Sequence, residues 1–140
     1  MRGKELNELL ALRKELRTVE ELLASVRSAA DAPGVPDVSD ERHAQRRRDT
    51  VGNLLSEIDD LTARADSLRG EIQSREESAA AFIQGIDDPQ TWLILRLRFM
   101  RGYTWKRIAR TIGGRNTENS VKMRCARYLK SCGAALPSVP

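Results

Sequence analysis

Aromatic side chains are scarce in this chain of 140 residues, and they are confined to one stretch. All six lie between Phe82 and Tyr128, so the first 81 positions have none. Without large rings those 81 residues cannot build an ordinary globular core, and an elongated helical segment leading into a small domain fits them better. The five prolines, at positions 33, 36, 89, 137 and 140, leave long uninterrupted stretches between them. No segment alternates apolar and polar residues long enough to argue for a sheet. The expected fold is therefore all-α.

Other absences narrow the function. No apolar run approaches the length of a membrane span, and the N-terminus turns charged at once, which supports neither a transmembrane helix nor a signal peptide and points to a cytoplasmic protein. The two cysteines, Cys125 and Cys132, are seven apart on one expected helix face. That is too far for a local disulfide, and a zinc site would need a second ligand pair, so both read as small buried apolar residues. His43 is the only histidine and stands beside Arg46, Arg47 and Arg48, which reads as a solvated surface position. There is no P-loop, no metal-ligand cluster and no histidine near a nucleophile, so no enzyme and no cofactor are expected. The acidic pairs Asp59-Asp60 and Glu76-Glu77 read as solvated helix faces.

What is present is helical periodicity. Leu9, Leu12, Leu16, Val19, Leu23 and Val26 step by three and four, a heptad seam widened by Leu6, Leu10 and Leu22, in a helix expected from Leu6 to Ala30. Ala32-Pro33-Gly34-Val35-Pro36 must end that helix. After a loop near 31–40, with Ser39 or Asp40 as the cap, the rhythm returns at Val51, Leu54, Ile58, Leu61, Ala65, Leu68 and Ile72 and runs through Arg75, Ala79, Phe82 and Ile86. Two helices joined by such a loop fold back most simply as an antiparallel coiled-coil hairpin, residues 1–87. The shorter first helix cannot cover the second beyond about residue 70 at a rise of ~1.5 Å per residue. The seam from Leu68 to Ile86 then needs either the terminal domain or a second copy of the chain, and a homodimer through the helical arm is one expectation.

A second domain is expected over 88–132, followed by a flexible tail over 133–140. Asp88 can cap a helix that begins at Pro89 and runs to about Arg101, carrying Trp92, Leu93, Leu95, Leu97, Phe99 and Met100. Gly102-Tyr103 breaks it, and Thr104 can cap the next helix, on which Trp105, Ile108, Ala109 and Ile112 share a face. Gly113-Gly114 supplies a turn, Asn116 or Thr117 caps the last helix, and Val121, Cys125, Tyr128 and Leu129 form its inward stripe. Trp92 and Trp105 read as core residues rather than stacking platforms.

Charge is the other strong signal. From Gln90 to Lys130 there are eleven basic residues and a single acid, Glu118, a local net charge of +10, whereas the rest of the chain carries −6. A short helix, a glycine turn and a second helix with this one-sided charge describe a helix-turn-helix domain for double-stranded DNA. On the last helix the outer face holds Asn119, Lys122, Met123, Ala126, Arg127 and Lys130, suited to base edges and thymine methyls in a major groove. Arg115, Asn116 and Thr117 lead into a helix N-terminus, a natural phosphate site, and Lys106, Arg107 and Arg110 would grip the backbone.

Ile108-Ala109, Gly113-Gly114 and Arg127-Tyr128-Leu129 resemble the fourth region of sigma-70 factors. The whole layout is similar to small phage and prophage proteins, the late-operon transcriptional regulators of the ArpU and RinA kind. Its marks are a leucine-rich helix, a Pro/Gly loop, a long helix, Ile83 to Pro89 as Ile-x-x-Ile-x-Asp-Pro, and Arg98 to Trp105 as Arg-Phe-Met-x-Gly-x-Thr-Trp. The resemblance covers most of residues 6 to 130 and implies transcription regulation in a phage or prophage, with bacterial RNA polymerase as a partner. It does not imply a complete sigma factor, because promoter melting needs an aromatic-rich region and the first 81 residues hold no aromatic. Two other readings share the composition. A phage small terminase subunit also joins a helix-turn-helix to a coiled coil, in a large ring, and a coiled-coil adaptor could dock its basic end on an acidic protein.

Overall fold

Leucines spaced three and four apart, uninterrupted by proline, carry the first helix, α1, from Gly3 to Asp31, and the same rhythm carries the second, α2, from Glu41 to Gln84. A computed structural model describes residues 3–31 and 41–134. Of the expected loop at 31–40, Asp31 ends the first helix and 32–40, with the cap at Ser39 or Asp40, lie outside the described residues. Of the expected tail at 133–140, Gly133 and Ala134 still belong to the last helix and 135–140 lie outside, as does the side chain of His43. Three further helices follow: α3 from Pro89 to Leu95, α4 from Trp105 to Ile112 and α5 from Glu118 to Ala134. The fold is all-α, with no strand among the described residues.

The helix expected from Pro89 to about Arg101 is α-helical only as far as Leu95 and continues as a π-helical turn, Arg96–Met100. The wider winding shows in the bond from Arg101 N to Arg96 O, 3.2 Å, five residues apart. One extra residue in the turn shifts the register, and Phe99 comes to lie fully buried. Its start is as expected: the Asp88 carboxylate accepts from Thr91 N at 3.0 Å and from Thr91 Oγ1 at 2.6 Å, and Pro89 takes a first-turn position. These two bonds from Thr91, and to a lesser degree the Arg124 charge, hold the Asp88 carboxyl below its ordinary range.

The chain divides into two compact units. One unit takes Met1–Leu12 together with Glu71–Pro140, the other Arg13–Gly70. All six aromatics fall in the first. Its core holds Leu6, Leu9, Ile83, Ile94, Leu95, Phe99, Ile108 and Val121, all fully buried. The first turn of α1 lies close to α5: a Cβ on Gly3 would stand 3.3 Å from Leu129 Cδ1. Phe82 and Tyr128 meet as tilted rings 6.2 Å apart, and Arg75 pairs with Glu8 at 2.9 Å. Ile72, Ala79, Ile83 and Ile86 are all buried within the single chain, so this part of the seam has its cover without a second copy.

The aromatic-free unit has a thinner interior, with Leu23, Val26, Ala65 and Leu68 buried and Leu16, Val19, Leu54, Ile58 and Leu61 half-buried. Exposed ion pairs tie α1 to α2 within it, Glu15 with Arg64 and Glu20 with Arg69. Val51, expected on the seam, is exposed.

Candidate nucleic-acid interface

The terminal pair of helices is framed by three local devices. Thr104, in extended conformation, accepts from Arg107 N through Oγ1 at 3.1 Å and so starts α4. Gly113 and Gly114 have φ of +73° and +66°, values that glycine adopts without penalty, and they turn the chain out of α4. Thr117 then starts α5 by a reciprocal cap: its Oγ1 accepts from Ser120 N at 3.1 Å, while Ser120 Oγ accepts from Thr117 N at 2.8 Å. Of the two candidate caps, Thr117 is the one used.

Asn116 has another task. Its Nδ2 donates to Gly113 O at 3.0 Å, and its Oδ1 accepts from Gln90 Nε2 at 3.5 Å, so the amide closes the turn and ties it to α3. Only part of this side chain is exposed, which sets it apart from the other candidate DNA contacts. α4 packs on α5 through buried Ile108, Ala109, Val121 and Cys125. The small Ala109 permits a close crossing. With Val121 and Cys125 inward, Tyr128 and Leu129 half-buried beside them, the 100° step of the helix turns Asn119, Met123, Ala126, Arg127 and Lys130 outward and Lys122 to the flank. All six are exposed.

Lys106, Arg107, Arg110 and Arg115 are exposed as well. Among the described residues, Lys106, Arg110, Arg115, Lys122, Arg127 and Lys130 form no ion pair, so their charge is unneutralised. The Arg107 guanidinium lies over the Tyr103 ring, 3.8 Å from its centroid, which fixes its plane while leaving its edge open. Thr117 is exposed, with its hydroxyl committed to the cap.

The remaining arginines brace the unit. Arg124 bonds to Gln90 and stands 3.8 Å from Asp88, joining α5 to the start of α3. Arg98 stacks 4.5 Å from the Trp105 centroid and donates to Tyr103 O at 3.1 Å, holding the segment that leads into α4. Its Nε is buried without a partner among the described residues, and desolvation lowers its pKa. Arg96 lies over Trp92 at 5.3 Å. Both tryptophans are half-buried rather than fully interior, each with one face taken by a guanidinium. These roles depend on pairings across 4 to 36 positions of the chain, and composition could not reveal them.

Cys125 is buried, and desolvation pushes its thiol up to about 11, far from the range of a reactive thiolate. Cys132 is half-buried, less covered than expected, and both thiols are free. Burial first, then the neighbouring Cys132 and Asp87, push the Tyr128 phenol up to about 12. Among the described residues no group of His, Cys, Asp and Glu could hold a metal ion, and no helix is long and apolar enough to cross a membrane. No family model, no curated protein and no solved structure matches the chain.

Proposed function

We propose that this protein is a non-enzymatic, sequence-specific DNA-binding regulator of transcription, similar to the fourth region of sigma-70 factors and encoded by a phage or prophage. In this reading α4, the glycine turn and α5 are the helix-turn-helix, with α5 in the major groove. α1 and α2 form an antiparallel hairpin, and bacterial RNA polymerase is the second partner. Work on DNA inside a bacterium makes the cytoplasm its compartment.

The observation that carries the reading is the outward face of α5. Asn119, Met123, Ala126, Arg127 and Lys130, with Lys122 at the edge, offer amide, cationic and apolar groups without a carboxylate among them. The one acid of α5 itself, Glu118, sits in the first turn, where a carboxylate complements the helix dipole. Asn pairs with adenine, Arg and Lys with guanine, and Met or Ala with a thymine methyl. Lys106, Arg107, Arg110 and Arg115 supply charge for phosphates on either side.

Binding of the purified protein to its own upstream and intergenic DNA, titrated against salt and random competitor, tests this. Asn119→Ala and Lys122→Ala are each expected to weaken the specific complex by about 1–3 kcal/mol while helix content stays unchanged. Lys106→Ala is expected to weaken all sequences alike and to reduce the salt slope by about one. Binding that fails equally on every sequence as salt rises would defeat the sequence-specific reading. A large ring by mass would favour a packaging subunit, and no binding to duplex DNA at moderate salt would favour an adaptor.

A further inference from the structure

The stretch of α2 from Ala44 to Asp59 carries an apolar stripe that the described residues leave in solvent. Val51 is 39% and Leu55 52% exposed, and with Ala44, Arg47, Arg48 and Gly52 they line a shallow groove. Ala44, Arg48, Val51, Leu55 and Asp59 follow at steps of four, three, four and four, which keeps them on one side of the helix. Leu54, Ile58 and Leu61, half-buried, belong to the neighbouring side, so this is a second stripe and not the seam. A Cβ added at Gly52 would meet nothing within 4 Å, so a neighbouring helix has room to approach there.

Charge along this stretch says what covers the stripe. Residues 42–48 contain four arginines and no acid, and residues 57–60 contain three acids and no base. Two copies laid parallel would set like on like. Laid antiparallel about a two-fold axis near residue 53, they set the basic end of each against the acidic end of the other. In that register Val51 of one copy meets Leu55 of the other, twice over, and Arg48 faces Asp59, twice over. A self-complementary patch of this kind is what an isologous dimer requires. Both Arg48 and Asp59 are exposed and lie on the flank that antiparallel helices turn toward each other.

We propose that a second copy of this chain docks here, through an antiparallel contact of α2 on α2 centred near residue 53. The contact is short, so the dimer forms reversibly with concentration and loosens in salt. It lies in the aromatic-free unit, away in sequence from α4 and α5, and stands or falls independently of DNA binding.

Sedimentation of the full chain over a wide concentration range reads it out, with circular dichroism as the check on folding. The wild type is expected to move reversibly from monomer to dimer. The double substitution Val51→Glu, Leu55→Glu is expected to raise the dissociation constant by at least about tenfold. Arg48→Glu alone and Asp59→Arg alone are each expected to weaken self-association, because each sets like charges together twice. An equal mixture of the two variants is expected to recover dimers. In the mixed dimer the introduced glutamate of one copy faces the introduced arginine of the other, and the unchanged Asp59 of the first faces the unchanged Arg48 of the second. A wild type monomeric throughout, a dimer indifferent to the glutamates, a larger closed assembly, or a mixture that stays monomeric would each overturn the proposal.

Discussion

The two units are built by the same leucine and isoleucine spacing and end up very differently covered. In the aromatic-bearing unit Leu6, Leu9 and Ile83 are fully buried, and the same unit holds Phe99 and the α4–α5 pair. In the aromatic-free unit, among the described residues, the same kind of stripe has only another helix beside it, and Leu16, Val19, Leu54, Ile58 and Leu61 stay half-exposed. Heptad spacing states which residues face a neighbour; how deeply they are buried depends on how many neighbours the chain has left to offer. The surplus charge is divided in the same way, with the +10 of residues 90–130 spread over the unit that has the more deeply buried core. If that charge serves DNA as proposed, the backing matters, since side chains held on packed helices would reach base edges in a fixed geometry.

The sharpest way to break this contrast is a matched pair of truncations. Phe99→Ala removes a ring that is 1% exposed and surrounded by the core of its unit, and is expected to cost about 3–5 kcal/mol in chemical denaturation. Leu68→Ala in the aromatic-free unit, also 1% exposed, is expected to fall toward the low end of about 2–5 kcal/mol, because a two-helix site relaxes into the gap more readily. Leu55→Ala, at 52% exposure, is expected to change the stability of the isolated chain by no more than about 0.5 kcal/mol. If Phe99 and Leu68 cost the same, the two interiors are equally packed and the contrast is lost.

Much of this was legible beforehand, and for identifiable reasons. Helix existence and the inward stripe of α5 follow from periodicity, and the caps at Asp88 and Thr104 follow from residue chemistry next to Pro89 and Trp105. The α2 seam was read correctly at Ala65, Leu68 and Ile72 and incorrectly at Val51, since a heptad pattern continues in sequence whether or not a partner is there. The entry of Leu6 and Leu9 into the same core as Val121 joins positions more than 100 residues apart, and no local pattern encodes it. The π-helical turn at Arg96–Met100 is likewise a tertiary effect, a one-residue accommodation that brings Phe99 inside. On the candidate DNA-contacting face, exposure of Asn119, Lys122, Met123, Arg127 and Lys130 is readable from the helical step, whereas the closing role of Asn116 rests on its meeting Gln90 and Gly113.

A second, smaller effect sharpens the contrast through pH. Burial lifts the Cys125 thiol from 9.0 to about 11, so the folded chain keeps its proton where the unfolded chain has lost it. The stability linked to this group is complete below pH 9 and falls as pH rises through about 11, by up to about 3 kcal/mol at most. Tyr128, lifted to about 12, extends the decline at higher pH. Both residues belong to the aromatic-bearing unit. Denaturation from pH 8 to 11 should show this loss, and Cys125→Ala should start from a lower stability yet decline less steeply; a parallel slope would mean that the thiol is not desolvated.

The smallest expected effect belongs to the aromatic-free unit. Glu15 with Arg64 and Glu20 with Arg69 look like the ties that hold α1 to α2 where the apolar seam is thin, yet their side chains are 43–53% exposed. At such exposure water and salt screen the attraction, and fixing two long side chains consumes much of what remains. A double-mutant cycle of Glu15→Ala with Arg64→Ala is therefore expected to give a coupling of no more than about 1 kcal/mol, vanishing at high salt. The same cycle on Glu8 and Arg75 is expected to give slightly more, because Arg75, at 32% exposure, lies against the better packed unit. Couplings above about 2 kcal/mol at Glu15–Arg64 would reverse the ranking. Charge, rather than the buried stripe of Leu23, Val26, Ala65 and Leu68, would then be what holds those two helices together.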